Sequence, residues 1–248
     1  MESSSSVMMS ASPTRSMALR RKFYVALAIL MTLTVIVGFW PSYYGPLTQG
    51  TTQVSWILHF HGVIYVGWMG LLIAQTVLAA SGRIRAHRSV GSIGIGYGIA
   101  ILLVGVFVSF AAPVMHVNAG EWTIDQAAAF LPVPLGDMVL FGGLFGAAVA
   151  YRQKPEIHKR LMLLATVALL FAAVFRLNAA GWASMPAAIF LWYVPVILGI
   201  AYDGLRQGRV HPVYWIGAAA MSISLLKLPL GTTGFWLGFG GRIIESLN

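Results

Sequence analysis

Asp137, Arg176 and Lys227 each interrupt an otherwise apolar stretch long enough to cross a bilayer. Asp137 lies fifteen residues before Arg152, Arg176 sixteen after Arg160, and Lys227 sixteen after His211. At about 1.5 Å per helical residue, all three fall about 22–24 Å from a basic turn, at one level in the outer third of a bilayer. Ionisable groups at that depth cost several kcal/mol unless they are paired or hydrated, so they are expected to face one another inside a bundle. The chemistry this suits is an outward-opening polar cavity of net positive character that takes an anionic or polar small molecule. Arg176 would be the anion anchor, Asp137 its partner and Lys227 a second cation or titrating group. His61 would sit at the mouth, with Asn178 two residues above Arg176. The competing reading is an Asp–Arg pair that sets helix register, with Lys227 snorkelling outward.

The histidines form a second candidate. Three basic turns, G-R-I-R-A-H-R at 82–88, R-Q-K-P-E-I-H-K-R at 152–160 and R-Q-G-R-V-H-P at 206–212, each carry one histidine at the start of the next apolar run: His87, His158 and His211. Imidazoles on opposed helices suit haem iron, as in a haem b site, and three of them suit zinc or copper. Against this, each stands at a helix end among arginines, where capping a helix start is the plainer role. H-F-H at 59–61 places its two rings on different helix faces. His116 lies about 40 Å above Arg88, outside the hydrocarbon. The absence of cysteine excludes disulfides, thiolate metal sites and thiolate nucleophiles. G-S-I-G-I-G-Y-G at 91–98 reads as close helix packing rather than a phosphate loop. Gln75 is expected to make an interhelical hydrogen bond. No Ser-His-Asp order, H-E-x-x-H or catalytic carboxylate pair assembles, so an enzyme is not favoured.

These residues must be held by membrane helices. Of 248 residues, 58% are hydrophobic and only 9% charged, far from the roughly one-quarter charged residues of soluble domains. Apolar runs at about Phe23–Trp40, Trp56–Ala80, Val90–Pro113, Phe130–Tyr151, Leu161–Ala180, Ala187–Leu205 and Val213–Leu230 are long enough to span as helices. The positive charges alternate between gaps. Arg15, Arg20, Arg21 and Lys22 precede the first run; Arg83, Arg85 and Arg88 follow the second; Arg152, Lys154, Lys159 and Arg160 follow the fourth; Arg206 and Arg209 follow the sixth. The positive-inside rule then places the N-terminus in the cytoplasm and the C-terminus outside. The net charge of +9 is thereby explained by orientation and anionic headgroups, not by nucleic acid. The fold class is an all-α integral membrane protein: seven helices, a lead helix plus three helical hairpins. Residues 1–19 read as a disordered cytoplasmic tail, 20–230 as the transmembrane domain, and the glycine-rich 231–248 as a tail along the outer interface.

H-G-V-I-Y-V-G-W at 61–68, Gln75, G-R-I-R-A-H-R-S-V-G at 82–91, K-P-E-I-H-K-R-L-M-L-L-A-T at 154–166, and Asp203 with G-R-V-H-P at 208–212 carry a family resemblance. Together they resemble a group of uncharacterised bacterial seven-helix membrane proteins. More remotely they resemble a membrane-protein family of unknown function that has an H-R-x-x-G turn and a later histidine followed by a basic or Trp residue and Met. The resemblance spans roughly residues 55–215. It implies a multi-pass protein of the bacterial inner membrane and no activity.

The functional expectation is a small-molecule binding or transport-type module built on Asp137, Arg176, Lys227, His61 and Asn178. One alternative is a haem- or metal-containing redox protein using His87, His158 and His211. Another is a structural or assembly subunit of a membrane complex.

Overall fold

The computed structural model describes residues 13–52 and 54–248, with side chains from residue 22 onward except Gln207. It is built of helices: α1 (Pro13–Phe39), a π-helical turn (Trp40–Tyr44), α2 (Gly45–Thr48), α3 (Trp56–Ala80), α4 (Ile84–Asn118), α5 (Ile124–Phe130), α6 (Pro132–Ala150), α7 (Pro155–Ala179), α8 (Met185–Gln207), α9 (Pro212–Ser224), α10 (Lys227–Leu230) and α11 (Gly234–Leu247). Seven stretches are long and apolar enough to cross a membrane: α1 with α2, α3, α4, α5 with α6, α7, α8, and α9 with α10. Of the segment read as a tail, residues 13–19 belong to α1, and residues 1–12 lie outside the described residues.

The elements start where side chains satisfy the free amides of a first turn. Ser55 caps α3, Thr123 and Gln126 form a reciprocal capping box on α5, Ser184 caps α8 and Thr233 caps α11. Gly208 ends α8 at φ 68°, a left-handed conformation that glycine adopts without penalty, and so turns the chain back toward α9.

Helix α7 is the centre of the bundle. Two-thirds of its apolar stretch is buried (67%), more than for any other span, and it packs on α1, α6, α8 and α9. The α1–α7 crossing is tight because Gly38 has no side chain: a Cβ there would lie 2.5 Å from the Ala173 carbonyl oxygen. Helix α3 packs on α4 and α1, and α4 on α6. The core joins Trp68, Phe141, Phe145, Leu164, Phe171, Trp192 and Tyr214. Trp68 donates to Thr166 at 3.3 Å and Trp192 donates to the Val167 carbonyl at 2.7 Å, so the large indoles are satisfied inside it.

Contacts define two ends. At one, which holds the basic turns, the start of α7 meets the end of α8 and the start of α9. At the other, the start of α6 meets α10. The glycine-rich tail forms α11, which packs on α5 and α4; Ile244, Ala127 and Leu131 make a small second core there, and Trp236 donates to the Ala128 carbonyl at 2.8 Å.

Candidate functional site

Four charged residues are buried among the described residues, and they form two pairs: Asp137 with Lys227, and Arg160 with Asp203. A charge removed from water needs a partner and further hydrogen bonds, and the two pairs meet that need in different ways.

Asp137 lies in the second turn of α6 and Lys227 opens α10. The Lys227 ammonium donates to Oδ1 of Asp137 and sits 3.8 Å from the centroid of Phe171 and 5.5 Å from that of Trp192. Its stem passes over Gly136, where an added Cβ would come 2.9 Å from Lys227 Cδ. The seventh span is uneven just before the lysine. Leu225, Leu226 and Leu228 take carbonyls three residues back, at Ser222, Ile223 and Leu225, instead of four. Such a 3₁₀ step inside a helix marks a hinge or a strained sequence.

The expected Asp137–Arg176 pair is therefore replaced by Asp137–Lys227. Lys227 turns inward rather than snorkelling, with only 5% of its surface exposed. The reason is angular. Arg176 stands five residues beyond Phe171 on α7, roughly 140° further round the helix, on the side facing α1. There Arg176 Nη1 donates to the Ala172 carbonyl at 3.1 Å, and the guanidinium lies 4.3 Å from the centroid of Phe39. Among the described residues no carboxylate lies within salt-bridge distance of Arg176.

His61 lies on α3, which packs on α1. Its ring packs on that of Tyr65, tilted by 33° with centroids 4.1 Å apart, and its Nδ1 is buried without a hydrogen-bond partner. The Tyr65 hydroxyl in turn reaches the Ile101 carbonyl at 3.1 Å and Sδ of Met138, the neighbour of Asp137, at 3.4 Å. His61 and Tyr65 thus reach toward α6 beside the Asp137–Lys227 pair, while Arg176 lies against Phe39 of α1. The π-helical turn at Trp40–Tyr44 follows Phe39 directly, and Tyr43 bonds Nδ1 of His59 at 2.7 Å. Asn178 faces elsewhere: its amide donates to the Ala183 carbonyl at 3.1 Å and holds the α7–α8 turn. A mainly apolar cleft of about 590 Å³ between α6 and α9–α10 reaches the stem of Lys227, with Trp236 at one edge.

Arg160 and Asp203 were legible as charges of the basic turns, but not as a buried pair. Arg160 is fully buried and binds Asp203 through both Nε (2.9 Å) and Nη2 (2.7 Å), while its Nη1 donates to the Glu156 carboxylate at 2.7 Å and carbonyl at 2.6 Å. This two-pronged fit is specific to guanidinium. Asp203 Oδ2 also accepts from the His211 amide at 3.2 Å. The signal available in sequence was that Asp203 is the lone acid of its basic gap.

Each of the three turn histidines makes its own local bond. His158 Nδ1 reaches the Ala148 carbonyl at 2.8 Å. His211 Nδ1 accepts from the Val213 amide at 3.3 Å and caps α9. With its amide oriented to satisfy both ends, Gln75 donates to Nδ1 of His87 at 2.6 Å and accepts from the Gly91 amide at 2.8 Å, an α3–α4 bridge. Among the described residues no three His, Cys, Asp or Glu side chains converge as a metal site. His116 instead stacks on Trp122, with centroids 4.4 Å apart, and contacts Glu121 at 2.5 Å.

The fold and these pairs define an all-helical chain with seven potential membrane spans and charged groups inside them. No family model, no curated protein and no solved structure matches the chain.

Proposed function

We propose that the protein is a multi-pass membrane module that binds a small anionic or polar molecule, of the binding or transport type, at the end of the bundle opposite its basic turns. One observation carries this: Arg176 lies inside a span with a backbone carbonyl and an aromatic face for partners and no carboxylate among the described residues. A guanidinium at that depth needs a counter-charge, and a bound anion supplies it. His61, whose buried Nδ1 lacks a partner, is the second recognition group. Asp137 and Lys227, already neutral as a pair, border the site rather than hold the ligand. The orientation that fits the basic turns puts the N-terminus in the cytoplasm of a bacterium, the turns against the anionic headgroups of its inner membrane, and Arg176 toward the outer side.

The test is thermal unfolding of detergent-purified protein against a panel of acetate, benzoate, sulfate and phosphate at constant ionic strength. At least one anion is expected to raise the midpoint saturably in the wild type, and Arg176→Gln to remove that increment. A panel without effect on the folded wild type, or an increment that survives Arg176→Gln, overturns the proposal.

A further inference from the structure

We infer that α8, α9 and α10 form one rocking segment, clamped to α6 and α7 by an ion pair at each end, and that the two clamps open in turn. The geometry begins with where the buried charges lie. Arg160–Asp203 joins the start of α7 to the end of α8, and Asp137–Lys227 joins the start of α6 to α10. Asp137 and Arg160 belong to α6 and α7, Lys227 and Asp203 to the segment, so every buried charge among the described residues bridges the same boundary.

Between the clamps the Trp192 indole of the segment's α8 donates to the Val167 carbonyl of α7 at 2.7 Å. Val167 is seven residues from Arg160, about 10 Å along α7, whereas Asp137 lies at the far level. Near the basic end the Tyr214 hydroxyl also meets that of Tyr24 on α1 at 3.4 Å, and the core shared by α7 and the segment is otherwise mainly apolar. Gly199 receives the Tyr214 ring within the segment, and Gly217 receives Leu164 from α7, with Cβ positions at 2.5 and 2.4 Å from them.

At its C-terminal end the segment lies close against α5, where a Cβ on Gly231 would come 2.3 Å from the Ala129 carbonyl oxygen. Helix α11 packs on α5 and α4 and leaves the segment after Gly231. The 3₁₀ step at 222–228 lies at the foot of Lys227, and Pro195 interrupts α8 three residues after the pivot tryptophan. Opening both ends together would leave four charges unpaired in the bundle, which is prohibitive. Opening one while the other holds leaves two, and the opened end admits water to them. The device thus alternates access by electrostatics. It does not depend on a ligand at Arg176, so its failure and that of the anion site are separate results.

The chain has no cysteine, so single reporters need no background removal. Val196→Cys in α8 and Met221→Cys in α9 place thiols at positions that are 1% and 0% exposed. Labelling with a membrane-impermeant maleimide, in right-side-out and in inverted vesicles, reads access from each face. Both reporters are expected to label slowly from both faces in the otherwise unaltered chain. Asp137→Asn should speed labelling roughly tenfold or more from the Asp137 face alone, and Asp203→Asn by a similar factor from the opposite face alone. The exchanged pair, Asp137→Lys with Lys227→Asp, should return slow labelling. If either aspartate variant does not assemble, Lys227→Met or Arg160→Met carries the same readout. Acceleration from both faces, from neither, or failure of all four variants to reach the membrane would show the pairs to be static braces and overturn the inference.

Discussion

Lys227 meets Asp137 across ninety residues of sequence by laying its stem over Gly136, the residue beside its partner that offers no Cβ. Backbone, aliphatic stem and ion pair thus form one unit. Gly136→Leu is expected to part the pair by lifting the stem, and therefore to destabilise the protein about as much as Lys227→Met. The two substitutions combined should cost far less than their sum, because each removes the same contact. A double-mutant cycle from unfolding midpoints in detergent checks this; additivity would sever the glycine from the pair.

The pair itself is costly to break on one side. Lys227→Met leaves a carboxylate buried without its cation, a change worth about 3–5 kcal/mol. Asp137→Leu together with Lys227→Met removes both desolvated charges and is expected to recover most of that loss. Steric-trap or SDS unfolding of the three variants measures the difference. A double variant as unstable as the single would mean that packing around Phe171, not charge, sets the cost.

These pairings mark the boundary of what the sequence discloses. Depth was readable, since rise per residue is fixed and Arg152, Arg160 and His211 supply reference points; Asp137 and Lys227 do share a level. Azimuth was not. Whether Arg176 or Lys227 faces Asp137 depends on how α6, α7 and α10 are rotated, and apolar spans carry little asymmetry from which to read rotation. Arg160 and Asp203 were hidden for another reason: in a basic turn a charge is fully explained by orientation, so nothing flags the one that turns inward. In the tail, glycine content argued against a span but concealed α11, whose Gly240 and Gly241 are buried where α11 lies close to α5.

At the basic end, Arg160→Lys is expected to behave as a loss rather than a conservative change. Lysine cannot reproduce the fork that holds both Asp203 oxygens and the Glu156 carboxylate. About 2–3 kcal/mol of stability should go with it, the range for breaking a charged hydrogen-bond set. Unfolding midpoints of Arg160→Lys and Lys159→Arg, compared side by side, separate this from a general effect of basic charge. The exposed Lys159 change should register within about 0.5 kcal/mol.

Gly38 tests the α1–α7 crossing. Its missing side chain faces backbone, the Ala173 carbonyl at 2.5 Å, which cannot rotate aside. Gly38→Ala must push α1 off α7 and is expected to cost about 1–3 kcal/mol, the range for overpacking. Gly143 has nothing within 4 Å of the same added atom, so Gly143→Ala is expected to be neutral or slightly stabilising through helix propensity. Equal effects at the two sites would show that the crossing yields.

His211 supplies a pH dependence whose sign follows from its role. Its Nδ1 accepts the Val213 amide as the cap of α9, so the ring must be neutral on that nitrogen. Burial is the leading cause that holds its pKa below the usual imidazole value, and the nearby Arg160 adds to it. A group whose pKa is depressed in the folded state contributes stability above its unfolded value of about 6.5. That contribution is lost as pH falls through the lower, folded value. Stability is therefore expected to be flat above about pH 7 and to decline below about pH 6, as protonation removes the cap. His211→Asn retains a capping oxygen and is expected to keep its stability through that window. His211→Ala should lose about 1 kcal/mol at neutral pH and show a weaker acid decline, since the proton-sensitive cap is gone. Unfolding midpoints of the three proteins between pH 5 and 8 decide the point: an acid decline in His211→Asn as steep as in the wild type would assign the titration to another group.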